Sequence, residues 1–238
     1  MKSLVIFIAL IPTHFLFAGN DAHIAEMSGE VKVRRGLDEH WQAAKPGLDL
    51  DALDTILTGE KGEVRLSLDG DVNFTLGANA ILDISDLRRI SRQELFLIIT
   101  SEKIESLPPR RSPGSLHINN VNVLHGAKKT DTGRPKLNSK IEREWQQHRN
   151  GGIDLLQQDF YTNAIIKFHK TLKTYVQVKD CGEIYFYLGQ AFEALENEGQ
   201  ALEAYSNSIS ENDEQACQDA PSAHRREKSE KALQRLKR

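Results

Sequence analysis

Three patterns in the 238-residue chain could carry chemistry, and two of them lack the companions that chemistry needs. Asp131-Thr-Gly133 spells the aspartic-protease triplet, but it sits among Lys128, Lys129 and Arg134 without the apolar strand such a loop requires. An aspartic protease also needs a second carboxylate to share the proton, and no second D-[ST]-G occurs. The acidic run Asp49, Asp51 and Asp54 suggests Ca²⁺, yet it lacks the Gly at the sixth position of an EF-hand loop. The eight His are dispersed, and His117 and His125 have no partner at zinc-ligand spacing. There is no G-x-S-x-G, phosphate loop or zinc-protease helix. The expectation is a protein that is not an enzyme and uses no cofactor or metal.

The third pattern is the cysteine pair, Cys181 and Cys217. Cys181 opens one helical segment and Cys217 lies just past the end of the next, and antiparallel helices bring those two ends together. A disulfide there would close a loop of 36 residues, and the chain-entropy model gives such a bridge about 4 kcal/mol. Free buried thiols and a metal or redox role are the competing readings. A bridge requires an oxidising compartment, and the first residues point to one. Lys2 precedes an apolar stretch, Leu4 to Ile11, that resumes from Phe15 to Ala18 after Pro12, Thr13 and His14. This fits a signal peptide over residues 1–18, cut after Ala18. The interrupted run is short of the roughly 20 apolar residues of a membrane span, although a retained anchor stays open. The expected location is periplasmic or secreted.

The elements that must position these residues divide where the hydrophobic period changes. From Ala22 to Ile99, short runs of period two are separated by Gly, Asp and Asn, as at Val64, Leu66 and Leu68, then Asp69-Gly70, then Val72, Phe74 and Leu76. That is the pattern of half-buried antiparallel strands joined by tight turns. A further alternation through Leu116, Ile118, Val121, Val123 and Leu124 predicts one or two late strands. From Ser139 onward the spacing is three and four, which is helical. Helix starts are expected at Ser139-Lys-Ile-Glu142 and Asp180-Cys-Gly-Glu183, at Asp159 and Asn197, and at Asp219 with Pro221. The fold class is therefore β plus α: a small antiparallel all-β unit over residues 22–127, a linker at 128–138, and helices over 139–238. The formal net charge of −3 argues neither for nucleic acid nor for a strongly acidic ligand, and no nucleic-acid partner is expected. The stretch from Ser222 to Arg238 holds seven Lys and Arg against two Glu. It reads either as a solvated helix end or as a contact for an anionic envelope polymer or membrane surface.

The β half resembles the periplasmic domain family of the iron-citrate regulator FecR, most closely over residues 28–85. The motif runs through Gly29-Glu-Val-Lys-Val33, Trp41, Gly47, Leu50, Asp54-Thr-Ile-Leu-Thr-Gly59, the strand at Val64, Asp69-Gly70 and Gly77-Ala-Asn79. Leu53 and Asp71 depart from the family pattern and mark a divergent member. The resemblance implies binding or signalling outside the cytoplasm. Within the motif Asp54, Thr58, Gly59, Asp69 and Gly70 read as structural, since short oxygens satisfy amides at turns and Gly takes positive φ. The helical half resembles tetratricopeptide repeats. Gly152, Leu155, Tyr161, Ala164 and Phe168 are followed 37 residues on by Gly189, Phe192, Glu198, Ala201 and Tyr205. Repeats over about 145–178 and 182–215 and a capping helix over 220–238 follow, the last covering the second repeat through Ala232, Leu233 and Leu236.

Two functional readings follow. In the first, an exported adaptor binds an envelope protein or peptide on a concave helical face presenting Arg149, Ile153, Glu183, Phe186, Gln190 and Glu193. Ile153 and Phe186 read equally well as core, and self-association through the helices is a further possibility. In the second, the β unit binds glycan or peptidoglycan. Trp41 discriminates, since a buried Trp41 is core and an exposed one is a platform on which sugar stacks.

Overall fold

A computed structural model of the chain describes residues 22–68, 72–105, 139–212 and 217–237. The leader, Asp69-Gly70, the late strands expected near Leu116 to Leu124, the Asp131-Thr-Gly133 triplet, His117 and His125, and the linker lie outside the described residues. Among the described residues the architecture is mixed β plus α: two antiparallel four-stranded sheets and six helices.

The first sheet contains β1 (Ala22–Ser28), β4 (Asp49–Leu50), β6 (Glu63–Leu68) and β7 (Val72–Leu76), in the order β4-β1-β6-β7. The second contains β2 (Val31–Arg34), β3 (Trp41–Ala43), β5 (Thr55–Thr58) and β8 (Ile81–Asp83), in the order β3-β2-β5-β8. The β6–β7 pairing sets Leu66 against Phe74 and Val64 against Leu76. All four are fully buried, while Glu63 and Arg65 face outward, as the pleat requires.

Residues 92–99 were expected to continue the β pattern, and here the structure corrects the sequence. Arg92–Glu105 is a helix, α1. Its start is chemical: the Ser91 hydroxyl accepts the Glu94 amide at 3.1 Å, the geometry of an N-cap, and Ser91-x-x-Glu94 is itself a capping-box spacing. Leu95 is buried and Ile99, one turn on, packs against the core, leaving Phe96 and Leu97 exposed.

The remaining helices are α2 (Ser139–Gln157), α3 (Tyr161–Thr174), α4 (Glu183–Ala194), α5 (Glu198–Glu211) and α6 (Ala220–Leu236). Each packs on its successor. A Cβ on Gly152 would meet the Phe168 ring at 2.5 Å, and one on Gly189 would meet the Tyr205 ring at 2.6 Å. In both hairpins, then, an aromatic ring occupies the space that a side chain on the facing glycine would need. Asn197 caps α5 through the Gln200 amide, and Asp219 caps α6 through the Ser222 amide with Pro in the first turn. Asp159 does not cap α3: it sits at φ +67°, and Phe160 precedes the helix without a side-chain cap. Asp180 accepts the Gly182 and Ile184 amides instead of closing a reciprocal box with Glu183.

Sheets and helices share one buried apolar cluster, running from Ile24 and Phe74 to Phe168 and Tyr205. Phe160 meets Phe74 edge-on at 5.5 Å. β7 is an edge strand, whose free main-chain groups need partners. The Gln158 amide bonds both the N–H and the C=O of Thr75, each at 2.7 Å. Asp154 accepts the Gly77 amide at 2.8 Å.

A buried ionic contact forms at a short 3-10 turn, Ile84–Leu87. Its Asp86, 4% exposed, receives Lys167 Nζ on Oδ2 at 2.8 Å and Lys170 Nζ on Oδ1 at 2.9 Å. Lys167 is only 1% exposed. Asn163 adds hydrogen bonds to the main-chain carbonyls of Asp86 and Arg88 at 2.6 and 2.8 Å. Burial alone would raise the Asp86 carboxyl, but Lys167 and Lys170 outweigh it and hold it below the usual range.

Removing one member of a buried pair strands the other charge, at a cost of about 3–5 kcal/mol. Asp86→Asn should therefore destabilise by about that much in urea unfolding, and Asp86→Leu with Lys167→Met by less than the sum of the single changes. A second prediction concerns pH. Burial pushes the Asp154 carboxyl up from 3.8 to about 6, so the stability it permits is full below about 4 and is lost as pH rises through about 6. Buried His148, held down at about 4, acts in the opposite sense, losing stability as pH falls through the same window. The difference between wild type and Asp154→Asn isolates the carboxyl. The variant keeps the acceptor for Gly77 and should melt higher than wild type at pH 7.5, and level with it at pH 3.5.

Candidate functional site

The candidate site is a groove of about 660 Å³ between α4 and α6, floored by α5. Phe186, Gln190, Glu193 and Ala194 stand at helical spacing on one wall, and Lys228, Lys231, Ala232 and Arg235 on the other. Tyr205 of α5 lies beneath. The floor is apolar, since Phe186, Tyr205 and Ala232 are 6%, 3% and 6% exposed, with the two rings 6.2 Å apart. One end is closed by a polar clamp in which the Tyr205 hydroxyl donates to Glu193 at 3.0 Å and Arg235 bonds the other carboxylate oxygen. Burial pushes the Tyr205 hydroxyl well above its ordinary range, and the Glu193 carboxylate adds to the shift. Further along, Lys231 pairs with Glu227 of its own helix, while Lys228 has no partner among the described residues.

The α6 wall is held at several points. Cys181 and Cys217 form a disulfide with 5.7 Å between Cα atoms, tying the approach to α6 to the start of α4. Asn212 donates to the Ser222 carbonyl at 2.8 Å, and Ser229 meets Ser208 at 3.3 Å in the α5–α6 contact.

Of the six residues expected on the binding face, Phe186, Gln190 and Glu193 line this groove. Arg149 and Glu183 instead pair with each other at 3.0 Å, with Arg149 stacked 4.9 Å from the Trp145 ring. Ile153 packs against the core. The six residues therefore do not form one surface. Trp41 is neither core nor an open platform: it is half-buried, with the Arg34 guanidinium 5.2 Å over the ring. The Asp54 carboxylate accepts the Gly36 and Asp51 amides at 2.9 Å and Arg35 at 2.5 Å, which leaves it committed to the turn. Thr58 donates to Gly77 and accepts from Ala80, and the Gly59 amide bonds the Glu30 carbonyl.

Sequence reasoning missed the cationic wall. It saw the basic tail only as net charge, although Lys228, Lys231 and Arg235 at i, i+3 and i+7 already fall on one helical face. Tyr205 enters the sequence pattern only as a repeat position, because its hydroxyl joins a clamp through Glu193 from another helix.

Neither family models, nor curated proteins, nor solved structures yield a match to this chain. Among the described residues, no helix is long and apolar enough to cross a membrane.

Replacing both Cys181 and Cys217 by Ser should cost about 2–4 kcal/mol of stability from loop entropy. It should also raise hydrogen exchange selectively in α6, which reaches the rest of the molecule through α4 and α5. Uniform exchange across all helices would show that the bridge does not hold the wall.

Proposed function

We propose that the protein is an exported, non-enzymatic adaptor of the cell envelope that uses its helical half to bind an acidic, amphipathic segment of a partner protein. The β half, with its FecR-like motif, serves in this reading as the body on which the tetratricopeptide-like helices are mounted. The supporting observation is the groove itself: an apolar floor of Phe186, Tyr205 and Ala232 beside a wall carrying Lys228 and Lys231. Helix-in-groove and extended-peptide recognition both use apolar anchors on such a floor, and flanking cations select acidic partners and speed their encounter. Ala194 keeps the α4 rim low, so a partner backbone can approach closely. A glycan on Trp41 gains less support, because Arg34 covers part of the ring that a sugar would use.

The test employs a labelled 14-residue peptide with Leu at i, i+3 and i+7 and Glu between, and a counterpart with Lys for each Glu. The acidic peptide should bind and weaken with added salt, and Lys228→Glu with Lys231→Glu should reduce its affinity about tenfold or more. Both lysines are exposed, so the melting temperature should fall only slightly, by the exchange of the Lys231–Glu227 pair for a repulsion. Equal binding of the two peptides, or unchanged affinity in the charge-reversed protein, would refute this assignment.

A further inference from the structure

A second concavity, of about 810 Å³, opens where three turns of the β half meet α2, remote in sequence from the α4–α6 groove. One wall consists of Glu30 from the β1–β2 turn, Gly59, Glu60 and Lys61 from the β5–β6 turn, and Asn79 from the β7–β8 turn. The other is α2, through Arg143, Gln146, Gln147, Arg149 and Asn150.

The turns are bolted to one another by main chain. The Gly59 amide donates to the Glu30 carbonyl at 2.8 Å, and the Asn79 and Gly62 amides donate to the Gly59 carbonyl at 2.9 and 3.0 Å. Gly29 sits at φ +65°, and a Cβ there would lie 2.1 Å from the Lys61 carbonyl oxygen. One on Gly62 would lie 2.3 Å from the carbonyl oxygen of Glu30. Only glycine permits these approaches, so the rim is fixed before any ligand arrives.

The back of the cleft is fixed as well. Asn150 Nδ2 donates to the Asn79 carbonyl at 2.9 Å, its Oδ1 accepts from Arg149, and Arg149 is held in turn by Glu183 and the Trp145 ring. In front of this framework, the side chains of Glu60, Lys61, Arg143, Gln146 and Gln147 make no hydrogen bond or ion pair with other described residues. A rigid frame carrying uncommitted polar groups is the arrangement of a ligand site, since pre-organisation lowers the entropic cost of binding.

The lining also selects the chemistry. It contains amides, two carboxylates and three cations, and no aromatic or aliphatic side chain. A sugar finds no ring to stack on, and a lipid finds no apolar wall. Peptide groups, which donate and accept, match the glutamine amides. A free carboxylate matches Arg143 and Lys61 from opposite walls, and a free ammonium matches Glu60, beside which Glu30 is already paired with Lys32 at 2.7 Å. We infer that this cleft binds short zwitterionic peptides of a few residues, with the charged ends read by these two sets of side chains and the peptide bonds by Gln146 and Gln147.

The full-length protein, labelled with ¹⁵N, would be titrated with trialanine, with trialanine blocked at both ends by acetyl and amide groups, and with the N-acetylglucosamine trimer. The free peptide should shift the amide resonances of Lys61, Arg143 and Gln147, with blocking weakening the affinity at least tenfold and the sugar leaving these resonances in place. Arg143→Gln and Glu60→Gln, both at exposed positions, should each weaken trialanine several-fold without changing the melting temperature. Absence of shifts with trialanine at 20 mM would overturn the inference. So would equal binding of the blocked peptide, or shifts at these residues produced by the sugar instead.

Discussion

One carboxylate, Asp86, sets the relation between the two halves of the molecule. It sits on the 3-10 turn that follows the last described strand, and both of its oxygens are taken by lysines of α3. A buried ion is tolerated only when its partners are close and its remaining hydrogen-bonding sites are filled. Lys167 and Lys170 meet the first condition, and Asn163 satisfies the neighbouring carbonyls. Both lysine contacts are short and the carboxylate is buried, so a displacement of α3 would leave Asp86 uncompensated. The turn therefore fixes where α3 lies, α3 fixes α2 and α4, and α5 and α6 follow in the stack. Both concavities inherit their shape from this order.

The seam between sheet and helices is completed by groups that would otherwise be left unpaired. An edge strand such as β7 presents main-chain donors and acceptors to whatever lies beside it. Gln158 and Asp154 answer them with an amide and a carboxyl, so the helical half seals the sheet instead of merely resting on it. The acceptance of the Gly77 amide by Asp154 carries a cost at neutral pH, because the same burial that shapes the bond disfavours the charge. The molecule accommodates one strained ionisation at the seam in exchange for a closed sheet edge.

Much of this was legible in sequence where the signal is local. The period-two run at Val64, Leu66 and Leu68 gave its strand, and Asn197 and Asp219 with Pro221 cap their helices as their residue types predict. Other signals were local but overridden. Leu95 to Ile99 is a continuous apolar run that suits strand or helix, and Ser91 decided it by capping. Asp159 has the right side chain for an N-cap, but the chain turns through positive φ there and Phe160 takes the position before the helix. The seam and the sites are non-local. Lys167 looks like a surface lysine until Asp86, far along the chain, is brought against it. The binding face was expected to gather six residues, yet Arg149 and Glu183 neutralise each other while the groove draws its cations from α6.

The claim that sheets and helices form one body is tested by unfolding the protein with a probe in each half. Trp41 lies on β3 and Trp145 on α2, so Trp41→Phe leaves a fluorophore reporting on the helices and Trp145→Phe leaves one reporting on the sheets. Urea unfolding followed by fluorescence in each variant, beside far-ultraviolet circular dichroism of the same samples, compares the halves directly. One body predicts that within each variant the fluorescence and dichroism transitions coincide in midpoint and slope. A tryptophan transition displaced from the dichroism curve, or two resolved steps, would mean that the halves unfold separately and that the Asp86 seam does not join them.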